Sequence, residues 1–217
     1  MKIMEFKKLV LTSKMAHFKN GINGKNQNTF RVPPISTIVG ILKNIYGKDI
    51  KDFIFGYTCK YDGIFKDVTT IYKEVNLDIS SAKGDRFQHD IAFIEYLVNP
   101  IITVYTNLDT PIKINDILNL GKTNCLAKCK FEKENITNKE CIGYNQWTPI
   151  NTGNGKIKRI NKETIYNQNK GYYDYYTELF RLNEEFTAKH ILEDQEEGIQ
   201  LWQYRGVGDI ECYQENL

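Results

Sequence analysis

The chain has 217 residues, 41% of them hydrophobic and 26% charged, which is enough for one large or two small globular domains. The formal net charge is +2. No apolar run is long enough to span a membrane as a helix. Lysines interrupt the apolar positions of residues 1–19, unlike a signal peptide, so we expect a cytoplasmic protein.

The near-neutral total conceals an uneven distribution of charge. Residues 1–51 carry ten lysines and arginines against two acidic residues, a net charge of +8. Residues 181–217 carry three basic residues against nine acidic ones, a net charge of −6. The basic N-terminal segment favours a polyanionic partner such as RNA. Pairing of the two ends with each other, or solvation of both, explains the split equally well.

The five cysteines predict reduced thiols, because their number is odd and no secretion signal precedes them. Cys125 and Cys129 could form half of a metal site, but no histidine lies near them in sequence. We therefore expect buried free thiols, with no metal and no cofactor.

The first elements are a strand over residues 2–18, a polar loop over 19–29 and a helix over 35–46. An amphipathic face is formed by Ile38, Ile41, Leu42 and Ile45, at i, i+3, i+4 and i+7.

Both ends of this helix carry recognisable signals. Ser36 or Thr37 is expected to cap its start, and Gly47 to end it. Gly40 costs about 1 kcal/mol inside a helix, which suggests that another backbone packs closely there. The free N–H groups at the start could hold a phosphate, with Arg31 just upstream. A plain helix cap beside a solvated arginine is the alternative.

The next segments read as strands with one charged interruption. Residues 53–61 and 64–75 are predicted to form a hairpin around Asp62-Gly63. Residues 76–92 lose the apolar pattern and form a predicted protrusion. Residues 93–108 resume as strand, broken at Asn99-Pro100.

A short helix over residues 114–119 and a turn and strand over 119–133 follow. The order β, α, β, β, loop, β, α, β over residues 1–132 suits an α+β, ferredoxin-like sheet with helices on one face.

Residues 133–217 predict a smaller β-rich C-terminal region of loops and short hairpins, closed by strands in 172–193 and 199–213. Four tyrosines at 172, 173, 175 and 176 could stack on bases, although sheet and core packing is the expected interpretation of their spacing.

Enzyme motifs are missing from the sequence: it has no P-loop, dinucleotide fingerprint, nucleophile elbow or metalloprotease histidine pair. His17, close to Lys14, Lys19 and Tyr46, could cleave RNA without a metal by acid–base chemistry. A hydrogen-bonding strand histidine is the simpler interpretation.

Three segments resemble, in order, the CRISPR-associated Cas-five family of RAMP-type subunits, which cap the 5′ end of the guide RNA in type I Cascade complexes. The first is "KMAHFKNG" followed by "NTFRVPPISTIVGILKNIYG". The second is "FIEYLVNPIITVYT" over 93–106, and the third is "LGKTNCLAK" over 120–128. In the first segment the matching residues are Phe30, Arg31, Pro33, Pro34, Ser36, Thr37 and Gly40. The chain looks most like the type I-B branch.

The resemblance implies a ferredoxin-like (RRM-related) RAMP domain over residues 1–132, with a β-hairpin thumb at about 76–92. It implies binding of the repeat-derived 5′ handle of the crRNA, contacts with the backbone and large subunits, and target DNA reached through the complex. Residues 133–217 carry no resemblance. The implied RNA-binding residues are Lys14, His17, Lys19, Arg31, Ser36, Thr37, Lys83, Arg86, Phe87 and Lys122.

Three hypotheses follow. The first is a Cascade subunit in antiviral defence that binds RNA without cleaving it, and the second is a metal-independent endoribonuclease that processes repeat RNA. The third is a globular protein whose basic segment meets an acidic partner. The Tyr-Lys-His set of the cleaving branch has no match here, so we favour binding without cleavage.

Overall fold

The computed structural model describes residues 4–21, 25–47, 49–75, 87–109, 111, 113, 117–136, 139–143, 145–183, 186–194 and 197–213. Within these ranges the chain has one α-helix and eighteen β-strands, an α+β fold dominated by β-structure. None of the described helical structure is long and apolar enough to cross a membrane.

In chain order the elements are β1 (Met4–Ser13), β2 (Met15–Ala16), β3 (Lys19–Asn20), β4 (Asn26–Thr29), α1 (Ile35–Tyr46), β5 (Phe53–Lys60), β6 (Gly63–Val75), β7 (Phe87–Val98), β8 (Ile101–Thr106), β9 (Leu118–Asn119), β10 (Leu126–Ile136), β11 (Lys139–Gly143), β12 (Gln146–Pro149), β13 (Gly155–Asn167), β14 (Tyr172–Asn183), β15 (Phe186–Asp194), β16 (Glu197–Ile199), β17 (Leu201–Gly206) and β18 (Asp209–Cys212).

The main sheet has seven strands in the order β18-β17-β5-β8-β1-β10-β9. All of its neighbours are antiparallel. The chain leaves the interior strand β1, passes through β2, β3, β4 and α1, and returns to this sheet at β5. The predicted apolar face of α1 is confirmed, since Ile38, Ile41, Leu42 and Ile45 are buried in one core with Leu9 and Leu11 of β1.

Helix α1 has the predicted bounds, but its start is built differently. Its N-cap is Pro34, no side chain makes the cap hydrogen bond, and the Thr37 N–H donates to the Pro34 carbonyl at 2.9 Å. The predicted Ser36 or Thr37 cap is therefore wrong. Gly47 ends the helix as predicted, with φ of 110°. Gly40 is exposed with nothing within 4 Å of a Cβ, so the expected close backbone contact is wrong.

The predicted hairpin at Asp62-Gly63 is wrong. Strands β5 and β8 pair with Lys60 opposite Ile101, and β6 and β7 continue the same register with Gly63 opposite Val98. The four strands form one antiparallel ribbon that bends where β5 passes into β6. Asn99 takes the left-handed conformation that this bend requires, and its amide donates to Asp62 at 2.8 Å. Asp62-Gly63 thus marks a change of sheet and not a reversal.

Beyond the bend, β7 lies between β6 on one side and β2 and β4 on the other. The interruption predicted at Asn99-Pro100 is confirmed, since it separates β7 from β8. Residues 76–86, which make up most of the predicted protrusion at 76–92, lie outside the described residues. Residues 87–92 are part of β7.

Two other local predictions fail. The polar loop predicted over 19–29 contains β3 and β4, which pair antiparallel. The helix predicted over 114–119 is contradicted at its end, where Leu118–Asn119 form strand β9 against β10. The strand predicted over 2–18 is divided between β1 and β2, which belong to different sheets.

The C-terminal region is built onto the N-terminal part. The boundary predicted after residue 132 falls within β10, and β17 pairs with β5 at the edge of the main sheet. Residues expected to form short hairpins instead form the long β13–β14 hairpin. Lys43 of α1 donates to Glu163 of β13, which also accepts Tyr204 Oη at 3.1 Å and the Gly208 N–H at 2.7 Å.

The four β14 tyrosines lie in a sheet as expected, but they do not enter the core. Their side chains are 40% to 66% exposed, so the expected core packing is wrong. The four cysteines whose side chains the structure describes agree better with the expectation of free thiols: Cys59 and Cys125 are buried, Cys129 and Cys212 are half-buried, and none of the four is in a disulfide. Burial raises the pKa of the Cys59 thiol to about 12.

Candidate nucleic-acid interface

The stretch before α1 is fixed by aromatic side chains from distant strands. The Pro33 carbonyl accepts hydrogen bonds from Tyr57 Oη at 2.9 Å and from Trp147 Nε1 at 3.0 Å. Phe30 packs edge-on against Trp147, with ring centroids 5.4 Å apart. These contacts hold the backbone on either side of Arg31, so its side chain leaves a fixed stretch of chain and not a flexible loop.

Arg31 lines a cleft of about 420 Å³. Its Nη1 atom is buried and has no hydrogen-bond partner within the described part of the chain. A buried donor without a partner is unfavourable, and more so when the group is charged. The planar guanidinium matches the oxygens of a phosphate, which would satisfy it. The cleft is completed by Asn20, Asn28, Thr29, Phe30, Tyr61, Glu95, Asn145, Lys156, Lys158 and Leu182.

Two lysines of β13 make the cleft basic. Lys156 and Lys158 are two residues apart on one strand, so their side chains leave the same face. Both are exposed, and neither forms an ion pair with any residue that the structure describes. The one acid in the lining, Glu95, accepts the Thr29 N–H at 3.2 Å and lies 3.7 Å from Lys66. The cleft therefore attracts an anion.

The three segments that carry the family resemblance meet at His17. The Nδ1 atom of its ring lies 2.7 Å from the Glu95 carbonyl oxygen. Its backbone N–H donates to the Leu120 carbonyl at 3.1 Å. A Cβ at Gly121 would lie 1.8 Å from the His17 carbonyl oxygen, and Gly121 has a φ of +96°. Only glycine fits there. These residues of the three segments therefore pack together beneath the cleft that Glu95 helps to line.

His17 itself does not reach the surface. Its side chain is 2% exposed, and because a carbonyl only accepts, Nδ1 carries the proton. Burial lowers the pKa of His17, and the nearby ammonium groups of Lys122 and Lys19 lower it further, although the hydrogen bond to Glu95 opposes them. Direct RNA contact by His17, predicted from the sequence, is contradicted by this burial, and general acid–base cleavage is disfavoured for the same reason.

The other predicted residues are dispersed. Lys19 is exposed and Lys122 half-buried beside His17. Ser36 and Thr37 are half-buried in the first turn of α1. Lys14 is exposed and lines a separate hollow at the ribbon bend with Asp62 and Asn99. The remaining three lie beyond what the structure describes: Lys83 and Arg86 as residues, and Phe87, the first residue of β7, in its side chain.

The sequence analysis missed the β13 lysines that share the cleft with Arg31. The signal was the alternation in "GKIKR", which places lysines at 156 and 158 on one face of a strand. Only the pairing of β13 with β14 and its contact with α1 bring that face beside residue 31, more than a hundred residues away.

No protein-family model matches this chain, and no curated protein matches it. A solved chain of the type III-B Cmr-beta complex, bound to cognate target RNA and AMPPnP, superimposes with a TM-score of 0.52 and 13% identity, over 83% of this chain and 86% of that one. A chain of a CRISPR RNA-guided surveillance complex superimposes with a TM-score of 0.45 and 11% identity, over 85% of this chain and 91% of that one. The first likeness shows a shared fold and nothing more, and the second is too distant to carry an argument.

Proposed function

We propose that this protein is an RNA-binding subunit of a CRISPR effector complex. The observation that carries the proposal is the buried, unpartnered Nη1 of Arg31 in a cleft that also holds Lys156 and Lys158. A guanidinium that shares a cleft with two lysine side chains suits a phosphate backbone. The fold shared with a chain of the Cmr-beta complex supports the same assignment.

The finer form of the proposal is a type I Cascade subunit of the I-B branch that holds the repeat-derived 5′ handle of the crRNA. In support, strands β5-β8-β1-β10 are antiparallel in the order expected of a ferredoxin-like sheet, with α1 as the first crossover. In this proposal the β6–β7 ribbon would belong to the thumb. Lys83, Arg86 and Phe87 would grip the handle there, and Lys14, Lys19 and Lys122 would meet its backbone.

In this proposal the chain binds RNA without cleaving it, and contacts the backbone and large subunits. The burial of His17 supports binding over the competing endoribonuclease activity, because a general base must reach the ribose hydroxyl.

The test is to mix the purified protein with labelled repeat RNA, free 5′ handle and scrambled handle in EDTA. We expect intact RNA on a denaturing gel and preferential binding of the handle at fixed salt. Arg31→Ala should weaken handle binding at least about tenfold, as loss of a charge-assisted bidentate contact does. Arg205→Ala removes an exposed arginine that is paired with Glu211, and serves as the matched control.

Two outcomes would contradict the proposal. Equal weakening by Arg31→Ala and Arg205→Ala would exclude the cleft as the RNA site. Discrete cuts at one position of the repeat would instead favour the endoribonuclease.

A further inference from the structure

The β13–β14 hairpin presents five tyrosines to solvent. Neither the fold nor the Arg31 cleft accounts for most of this exposed aromatic surface. The exposed fractions are 51% for Tyr166, 56% for Tyr172, 52% for Tyr173, 66% for Tyr175 and 40% for Tyr176.

Strand register divides these tyrosines between two faces. Residues opposite one another across the ladder share a face, as do residues two apart along a strand. Tyr166 is opposite Tyr173, and Tyr175 is two residues further along β14. Leu179 follows with the same alternation and is opposite Arg159. We call the surface of Tyr166, Tyr173, Tyr175 and Arg159 the aromatic face.

The tyrosines of the opposite face have partners within the fold. A Cβ at Gly208 would lie 2.6 Å from the Tyr176 ring, so that ring covers the β17–β18 turn. Lys170 lies over the Tyr172 ring, 5.5 Å from its centroid. On the aromatic face, Tyr166 and Tyr173 meet edge to face at 5.2 Å. Their outer surfaces stay open to solvent.

Charge also separates the two faces. The acids of the hairpin, Glu163, Asp174 and Glu178, all lie on the face opposite the aromatic one. Each is paired with a lysine, as Lys43–Glu163, Lys170–Asp174 and Lys162–Glu178.

The aromatic face therefore carries a guanidinium and no carboxylate, all of residues 155–183 being described. Arg159 donates only a long bond of 3.4 Å to Thr177. Positive charge beside open aromatic rings complements a polyanion that carries flat bases.

The spacing fits stacked bases. Side chains two residues apart on a strand stand about 7 Å apart. This is about twice the 3.4 Å separation of stacked bases. One base can therefore lie between the rings of Tyr173 and Tyr175. Arg159 is opposite Leu179, about 13 Å further along the hairpin than Tyr175, so it would meet a phosphate a few nucleotides away on the same strand.

We propose that the aromatic face binds single-stranded nucleic acid by stacking bases on Tyr173 and Tyr175 and pairing a phosphate with Arg159. This is a second surface, independent of the cleft at Arg31. Stacking on tyrosine accepts any base, so binding should be largely independent of sequence.

The experiment measures binding of the full-length protein to fluorescent oligo(U), oligo(dT) and an abasic strand of equal length, about ten nucleotides, by anisotropy at fixed salt. We expect Tyr173→Ala and Tyr175→Ala each to weaken oligo(U) binding about fivefold or more. Tyr173→Phe should bind as well as wild type, and the abasic strand should bind weakly to all forms. Oligo(dT) shows whether the 2′-hydroxyl contributes.

Tyr172→Ala is the matched control, since Tyr172 is equally exposed on the opposite face, and circular dichroism verifies that each variant is folded. In an Arg31→Ala background, Tyr173→Ala should weaken oligo(U) binding by the same factor as it does in the wild-type background, which separates this surface from the proposed handle site. The proposal is overturned if wild type does not bind oligo(U), or if Tyr173→Ala and Tyr172→Ala behave alike. It is also overturned if the tyrosine variants change only self-association in sedimentation, because the face would then contact a second copy of the chain.

Discussion

Arg31 lies just before helix α1 and Lys43 in its last turn, and strand β13 contributes charged groups beside both, with opposite results. At the end of the helix, Lys43 meets Glu163 of β13, with Tyr204 and Gly208 completing the carboxylate's hydrogen bonds. Before the start of the helix, Arg31 shares a cleft with two lysines of the same strand and keeps a buried nitrogen unpartnered. The complete network stabilises the fold, whereas the incomplete one is where we propose that a phosphate binds.

The pKa values follow the same division. Burial alone lowers the pKa of Lys43, but hydrogen bonds to Glu163 and Tyr204 outweigh it and raise the pKa. His17, which helps to support the Arg31 cleft, has no carboxylate in hydrogen-bond contact, and burial lowers its pKa. The buried base that is hydrogen-bonded to a carboxylate has its pKa raised, and for the base without such a bond the effect of burial prevails over the nearby Glu95 charge.

The largest expected effect is on the complete network. Glu163→Ala leaves Lys43, Tyr204 Oη and the Gly208 N–H without their acceptor, and should lower the free energy of unfolding by about 3 kcal/mol. Denaturant unfolding measures it. Glu178→Ala breaks an exposed pair with Lys162 on the same hairpin and should cost less than about 1 kcal/mol. Equal losses in the two variants would mean that the Lys43–Glu163 pair has no special structural role.

Arg31 should behave in the opposite way to Glu163. Arg31→Ala removes a buried donor that has no partner, so the free energy of unfolding should change by less than about 0.5 kcal/mol while RNA binding falls. Arg31→Lys keeps the charge without the planar fork and should bind RNA with intermediate affinity. Paired unfolding and anisotropy titrations test both. A large loss of stability in Arg31→Ala would make the arginine structural and remove the contrast.

The lowered pKa of His17 predicts how the stability of the fold depends on acidic pH. Its folded pKa is below the unfolded value of 6.5, so the unfolded chain takes up this proton first. Stability should therefore fall as pH drops below about 6.5, until the folded pKa is reached. In His17→Asn this contribution should vanish, leaving a shallower loss of stability between pH 6.5 and 5. An unchanged pH dependence would show that His17 does not titrate differently on unfolding.

The smallest effect concerns the β13 lysines. Lys156→Ala and Lys158→Ala should each weaken handle binding slightly and lower the slope of log affinity against log salt by about 0.7, the value for one single-strand phosphate contact. Lys170→Ala, paired with Asp174 near the hairpin tip, should leave the slope unchanged. Binding titrations at several salt concentrations, on wild type and the three variants, measure these slopes. A change in Lys170→Ala equal to the others would indicate a diffuse electrostatic contribution from the whole hairpin.

The pattern of neighbouring residues was sufficient to predict helix α1 and several of the strands. The 3.6-residue period of Ile38, Ile41, Leu42 and Ile45 determines which face of the helix is buried, whatever that face packs against. Gly47 and the Asn99-Pro100 break were also readable, because φ preferences act on the residue itself. Arg31 was identified as a candidate because it precedes a helix start in a basic segment.

Pairing partners were not readable in the same way. Asp62-Gly63 has the composition of a hairpin turn, but the register continues through it, since β8 and β7 pair with β5 and β6 in succession. The β14 tyrosines alternate as a sheet strand should. Which face stays open depends on where β17 and β18 pack.

The sequence by itself determined the basic N-terminal segment, the helix and its buried face, and the arginine before it, because charge and periodicity are properties of neighbouring residues. Only the tertiary structure decided which cation acquires a carboxylate. Glu163, Lys156 and Lys158 lie within eight positions of one another on β13, yet the way that strand packs against α1 places the acid beside Lys43 and the lysines beside Arg31. That choice depends on contacts between residues more than a hundred positions apart, which no local pattern encodes.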